Sequence, residues 1–294
     1  MKSQSNNLRG FTLIEAVIVI AITGVIAAIV AVFIVNPVKG YASSVIHAQL
    51  TDAAEATLLR MQREIRVALP NSLRVTDSTG SGANTCSQSA ALCYVEFIPT
   101  TTGGLYRADG DGSTGGNVLS FSDSAIVKFD VVGSSSSVGA ANSYVVINNT
   151  GQNPTNAYQD SSGNCTNCNI AKIASTSGNT VTLASNPFAT ESPPSPSANN
   201  RFQVVPSTGP VSYTCSPSSG AAVNRYTGYA FAQTQPTSFA VSAAPVLSNA
   251  ICKVTYSPAV LSRNGILFIS ITVTDASSGD NVTVFREIHV DNSP

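Results

Sequence analysis

Few residues of this chain have the types and spacing that do chemistry. The first is Glu15, the one ionisable group among the 25 residues 11–35. A carboxylate inside an apolar run costs about 2.5–3.5 kcal/mol on membrane-insertion scales, so such a group usually has a partner. Two readings stand side by side. Either Glu15 meets a positive group, or it lies close enough to the headgroups to stay hydrated. The second set is six cysteines, Cys86, Cys93, Cys165, Cys168, Cys215 and Cys252, all beyond the apolar run. An even count in an exported domain points to disulfides, with many connectivities open. Proximity along the chain favours Cys86–Cys93, Cys165–Cys168 and Cys215–Cys252. The Cys165-Thr166-Asn167-Cys168 spacing also suits a redox motif or half a zinc site. Redox motifs of this kind open a helix within a βαβ pattern, whereas this one sits among Asn, Ser and Gly. Zinc needs two more ligands, and His47 and His289 are the only histidines. A small structural disulfide is the expectation.

Other constellations are weak. No Walker loop, dinucleotide fingerprint or His-Glu-x-x-His helix occurs. His47 and His289 read as surface residues. Arg107-Ala108-Asp109-Gly110-Asp111-Gly112-Ser113 hints at calcium, but a frame opening at Asp109 puts Thr114 where the glycine belongs and Ser120 where the glutamate belongs. A polar turn is expected there, and no metal or cofactor. Through Arg74 there are seven basic and four acidic residues, and beyond it eight and twelve, a net charge of −4. That sparse, mildly acidic balance does not read as a nucleic-acid surface. The chain reads as no enzyme.

The elements that must position Glu15 are plain. Residues 11–35 as a helix span roughly 37 Å, enough for a bilayer core of about 30 Å with some tilt. Lys2 and Arg9 precede the run with no acid among them, so residues 1–10 are expected in the cytoplasm and everything after Val35 outside. The run is too long for a secretory signal, and no small-residue cleavage site follows it. Ala21, Gly24, Ala27, Ala28 and Ala31 have the spacing of small-residue helix packing, or of ordinary transmembrane composition. Asn36-Pro37 is expected to interrupt or re-cap the helix. From 36 to 70 a second, amphipathic stretch carries apolar residues at Leu50, Leu58, Met61 and Ile65, has Arg60, Arg63 and Arg66 near its end, and is closed by Pro70.

From residue 71 to 294 short β-type runs take over, bounded by Gly, Ser, Asn and Pro. Strands are expected at 92–98, 118–121, 126–132, 144–147, 170–174, 180–183, 202–205, 211–214, 225–231, 251–256, 266–274 and 282–290. The last two form a hairpin, with Leu267, Ile269, Ile271 and Val273 on one face. Stretches 134–137 and 192–200 read as loops, the second a candidate break between two lobes. The expected fold is α+β: a long N-terminal helix, transmembrane and then amphipathic, packed on a C-terminal antiparallel β domain.

The junction Arg9-Gly10-Phe11-Thr12-Leu13-Ile14-Glu15 resembles the signal of type IV prepilins and type II secretion pseudopilins. By position, the resemblance puts a peptidase cut between Gly10 and Phe11, makes Phe11 the N-methylated residue, and makes Glu15 the fifth of the mature chain. A glycine lets a protease approach the extended backbone. The resemblance also supplies a partner for Glu15, the Phe11 α-amine of a neighbouring subunit. Further on, Met61-Gln62-Arg63-Glu64-Ile65-Arg66 with Ala68-Leu69-Pro70-Asn71-Ser72, then Pro210-Val211-Ser212-Tyr213-Thr214-Cys215, Arg225-Tyr226-Thr227-Gly228-Tyr229-Ala230, Cys252 and His289-Val290-Asp291-Asn292-Ser293-Pro294, are similar to the MshO-type minor pilins of mannose-sensitive haemagglutinin (MSHA) pilus biogenesis. Residues 134–200 carry no resemblance. The resemblance implies a minor pilin processed by a prepilin peptidase and methyltransferase. It would sit in the inner membrane with a periplasmic β domain, and then in the pilus at or near its tip. Its partners would be major and minor pilins and the inner-membrane assembly platform. The alternatives are a type II secretion pseudopilin and a tip adhesin binding a glycan or surface.

Overall fold

A computed structural model describes residues 10–79, 84–108, 115–133, 138–159, 165–259, 264–290 and 292. The leader expected before Gly10, the turn expected at 109–113 and the loop expected at 134–137 lie outside the described residues. One helix, α1 (Leu13–Arg66, 54 residues), opens the chain. Pro37 lies inside it, so Asn36-Pro37 neither interrupts nor re-caps it. A proline removes one backbone hydrogen bond, and in apolar surroundings a full break would leave more groups without partners than that. The helix ends at Arg66, four residues short of Pro70, because the chain there turns to pair: Leu69 N–H donates to the Ile98 carbonyl at 2.7 Å.

The chain divides into two compact units after Gln49. In the first, the helix surface is apolar and exposed, with Ile20 71% and Phe33 75% accessible. In the second, Ala54, Leu58, Met61 and Ile65 form a buried stripe at helical spacing, packed on one face of a sheet.

Thirteen strands follow among the described residues. They are β1 (Arg74–Asp77), β2 (Cys93–Phe97), β3 (Thr102–Tyr106), β4 (Lys128–Val132), β5 (Tyr144–Val146), β6 (Ile170–Ser177), β7 (Thr180–Leu183), β8 (Arg201–Val205), β9 (Val211–Cys215), β10 (Ala221–Thr227), β11 (Ala244–Ser257), β12 (Gly265–Thr274) and β13 (Asn281–Val290). Seven form an antiparallel sheet in the order β1-β2-β9-β10-β11-β12-β13, which α1 covers from Leu50 onward. The other six close into an antiparallel barrel, β3-β4-β7-β6-β5-β8. Phe97 pairs with Val211, so the chain leaves the sheet at the end of β2 and re-enters beside the same point. The barrel is thus an insertion between two neighbouring strands. Its centre holds Phe129, Ile173, Phe202 and Val204. A third cluster joins the lobes, with Leu69, Ile98 and Phe231 from the sheet side and Val146, Tyr158 and Ile170 from the insertion.

Several strands differ from expectation. Residues 118–121 are not a strand; buried Leu119 donates its N–H to the Arg107 carbonyl at 3.0 Å. The run at 225–231 begins earlier and ends at Thr227, as β10, so residues 228–231 are not a strand, and β11 extends back to Ala244. Strands β1 and β3 are not expected from the sequence pattern, and the glycines of Thr102-Gly103-Gly104-Leu105-Tyr106 explain the second. A Cβ at Gly103 would sit 2.8 Å from the Phe202 carbonyl oxygen, so close pairing with β8 requires a residue that reads as loop-forming. The stretch 192–200 links β7 to β8 inside the barrel. The terminal hairpin alternates as its pattern predicts, with Leu267, Ile269, Ile271 and Val273 buried. Its turn is held by Asp275, whose Oδ2 accepts from the Ser277 hydroxyl at 2.5 Å and the Ser278 N–H at 2.7 Å. Those bonds hold its carboxyl down at about 2.

Candidate functional site

At the N-terminus, Gly10, Phe11 and Thr12 precede the helix and stand exposed. Thr12 accepts the first bonds: its carbonyl takes the Ala16 N–H at 3.2 Å and its hydroxyl the Glu15 N–H at 3.4 Å. A threonine in that position satisfies donors the first turn would otherwise leave open. The result is a non-helical Gly10–Phe11 link directly ahead of a capped helix, with no atom of the other described residues beyond its chain neighbours within 4 Å of where a Gly10 Cβ would stand. Glu15 lies in the first turn, where a negative charge suits the helix dipole. Phe11 is 80% exposed. Further on, the Thr23 hydroxyl donates to the Val19 carbonyl at 2.7 Å, which lets a polar residue sit in an apolar stretch. Ala21, Gly24 and Ala28 follow on the same exposed helix. The run is long and apolar enough to cross a membrane.

A family model of the prokaryotic N-terminal methylation motif matches residues 5–31. The N-terminus is type IV prepilin-like. Such a motif is a substrate signal for a prepilin peptidase, and with the apolar helix it suits membrane anchoring and a type IV pilin or pseudopilin-type role. The match ends within α1 and does not reach the second unit. Comparison with curated proteins and with solved structures returns no match. The MSHA assignment therefore draws nothing from these comparisons.

The head of this prepilin-like protein holds one buried ionic group that the sequence pattern alone does not reveal. Glu96, fully buried on β2, accepts from Arg74 Nε at 2.5 Å and from the Tyr229 hydroxyl at 2.9 Å. Arg74 donates further to the carbonyls of Gln233 and Ala232, each at 2.8 Å, and its guanidinium lies 3.5 Å from the centre of the Tyr158 ring. Tyr158 in turn donates to the Ser72 carbonyl at 2.9 Å. Burial pushes the Glu96 carboxyl up while the Arg74 guanidinium opposes it. Every member has partners, as a buried charge requires. Because Tyr158 belongs to the insertion and Arg74 to β1, the group pins the barrel to the sheet. Its sequence signal is a lone acid in an otherwise apolar strand, Cys93-Tyr94-Val95-Glu96-Phe97.

The six cysteines form three bridges: Cys86–Cys93, Cys165–Cys168 and Cys215–Cys252. The Cys165–Cys168 loop is tied to the segment before β8, since Asn167 Oδ1 accepts the Ser192 N–H at 2.8 Å. The sulfurs of Cys93, Cys215 and Cys252 lie within 4.8 Å of one another. His289 meets Glu287 at 3.1 Å on the surface, and His47 is exposed on α1.

Proposed function

We propose that this chain is a minor pilin, cut between Gly10 and Phe11, methylated on Phe11, and drawn from the inner membrane into a pilus through its apolar helix. The observation that carries this reading is the methylation motif on a helix that is apolar on all sides before it enters a large head. In this account residues 1–10 face the cytoplasm, and the head folds in the periplasm. Glu15 pairs with the α-amine of a neighbouring subunit's Phe11, because a carboxylate in lipid gains by finding a cation. Ala21, Gly24 and Ala28 let helices approach closely in the filament core. The peptidase, the other pilins and the assembly platform are its partners.

A sheet bearing an inserted barrel makes a bulky head, hard to repeat along a slender fibre, and this favours a priming or tip position. An MSHA-like pilus with an MshO-type role is the finer form of the proposal, supported by the C-terminal resemblance. Immunogold labelling tests the position: sparse labelling at fibre ends is expected, and dense labelling along the shaft would refute it. Glu15→Ala tests docking, with normal processing but lost incorporation expected.

The inserted barrel favours a second reading, a tip adhesin; a secretion pseudopilin is the third. Removing the insertion separates the first two. Lost pili mean assembly, whereas normal pili that no longer attach mean adhesion.

A further inference from the structure

We propose that Cys86, Cys93, Cys215 and Cys252 form one exchange unit, in which loss of either native bridge lets a Cys93–Cys215 bridge form instead. The register carries the proposal. Cys93 on β2 stands directly opposite Cys215 on β9. Directly opposed antiparallel residues have Cα atoms about 4.5–5.5 Å apart, inside the span of about 4.4–6.8 Å that disulfides occupy. Opposed residues also point to the same face, and Cys86, Cys93, Cys215 and Cys252 all join one buried core cluster. The three sulfurs within 4.8 Å put Cys93 beside the Cys215–Cys252 bond and Cys215 beside the Cys86–Cys93 bond. Cys86 is held there by its N–H, which donates to the Val254 carbonyl at 3.1 Å.

The step needs no oxidant. If Cys86 is removed, the Cys93 thiolate attacks Cys215 Sγ, the Cys215–Cys252 bond breaks, and Cys252 leaves as a thiolate that takes a proton from water. If Cys252 is removed, the Cys215 thiolate attacks Cys93 Sγ and Cys86 leaves. One sulfur–sulfur bond forms and one breaks. The exchange has a structural consequence. Strands β2 and β9 are the stems through which the chain enters and leaves the barrel. The native bridges tie β2 to its preceding loop and β9 to β11. The exchanged bridge joins the two stems, so that β2 and β9 stay side by side at the foot of the insertion even when the hydrogen bonds between them open.

The test uses full-length Cys86→Ser and Cys252→Ser proteins exported into an oxidising compartment. Thiols are blocked at acid pH, and the proteins are digested without reduction by chymotrypsin, which cuts after Leu92 and so separates positions 86 and 93. Mass spectrometry is expected to find a Cys93-to-Cys215 linked peptide, its yield rising on prior incubation near pH 8.5, where thiolate forms. Should the variants fail to fold, the native protein under limiting dithiothreitol gives the same readout: species with Cys86 and Cys252 blocked together are expected. The linked peptide absent from both variants, with native protein losing its cysteines only as native pairs, would overturn the proposal.

Discussion

The two halves of α1 differ in what surrounds them. From Leu50 to Arg66 the apolar residues form a stripe that its own sheet covers, with Leu58 fully buried and Glu64 meeting Arg225 at 3.0 Å on the flank. From Leu13 to Val35 there is no stripe, and large apolar residues are exposed on every side. A helix apolar all round is one whose environment is apolar all round. The first half is therefore shaped for an apolar environment outside the chain, and the second for its own head. Two carboxylates show the same contrast. Glu96 finds its cation within the chain, in Arg74, whereas Glu15 sits exposed in the first helical turn, and the docking proposed above gives it the amine of a neighbouring subunit.

Breaking Glu96's supply has the largest expected effect. Arg74→Ala leaves a buried carboxylate unpaired and is expected to cost about 3–5 kcal/mol in urea unfolding of the head. Removing both charges as Arg74→Met with Glu96→Gln is expected to recover much of that loss. If the single change costs under about 1 kcal/mol, the pin between sheet and barrel is not a stability element. The helix halves separate next. Leu58→Ala is expected to cost about 2–5 kcal/mol. Ile20→Ala, on the exposed half, is expected to leave head unfolding within about 0.5 kcal/mol of the native protein. Equal effects would mean that the two halves are not distinct environments.

A smaller effect concerns pH. Glu191 is buried beside the barrel, with its Oε2 accepting the Ser195 N–H at 3.3 Å and its Oε1 meeting no donor among the described residues. Burial raises its carboxyl to about 7. A carboxyl raised in the folded state contributes fully below its ordinary value of about 4.3. That contribution is lost as pH climbs toward 7, because the unfolded chain releases its proton first. Glu191→Gln is therefore expected to stabilise the protein at pH 8 by at most about 4 kcal/mol. At pH 4 it should change little. Thermal melts at both values check the sign.

What is legible in the sequence is local. The apolar run, the stripe through Leu58, Met61 and Ile65, and the alternation of Leu267 to Val273 each depend on neighbours a few residues away. The barrel is not legible as a barrel. Its closure pairs β3 with β8, joining Thr102 to Val204 across about a hundred residues, and one of those strands is disguised by Gly103 and Gly104. Nor is the Arg74–Glu96–Tyr229 group, whose members lie on three separate stretches of chain and meet only when β1, β2 and the loop after β10 come together. The methylation motif is legible because it lies within one local stretch, residues 5–31.

The most direct test of the account is the mass of the N-terminus of the membrane-extracted protein from cells with an active prepilin peptidase. The account predicts a chain that begins at Phe11 and carries one extra methyl group on its amine. A chain that still begins at Met1, with the peptidase shown to cut other substrates in the same cells, would contradict it.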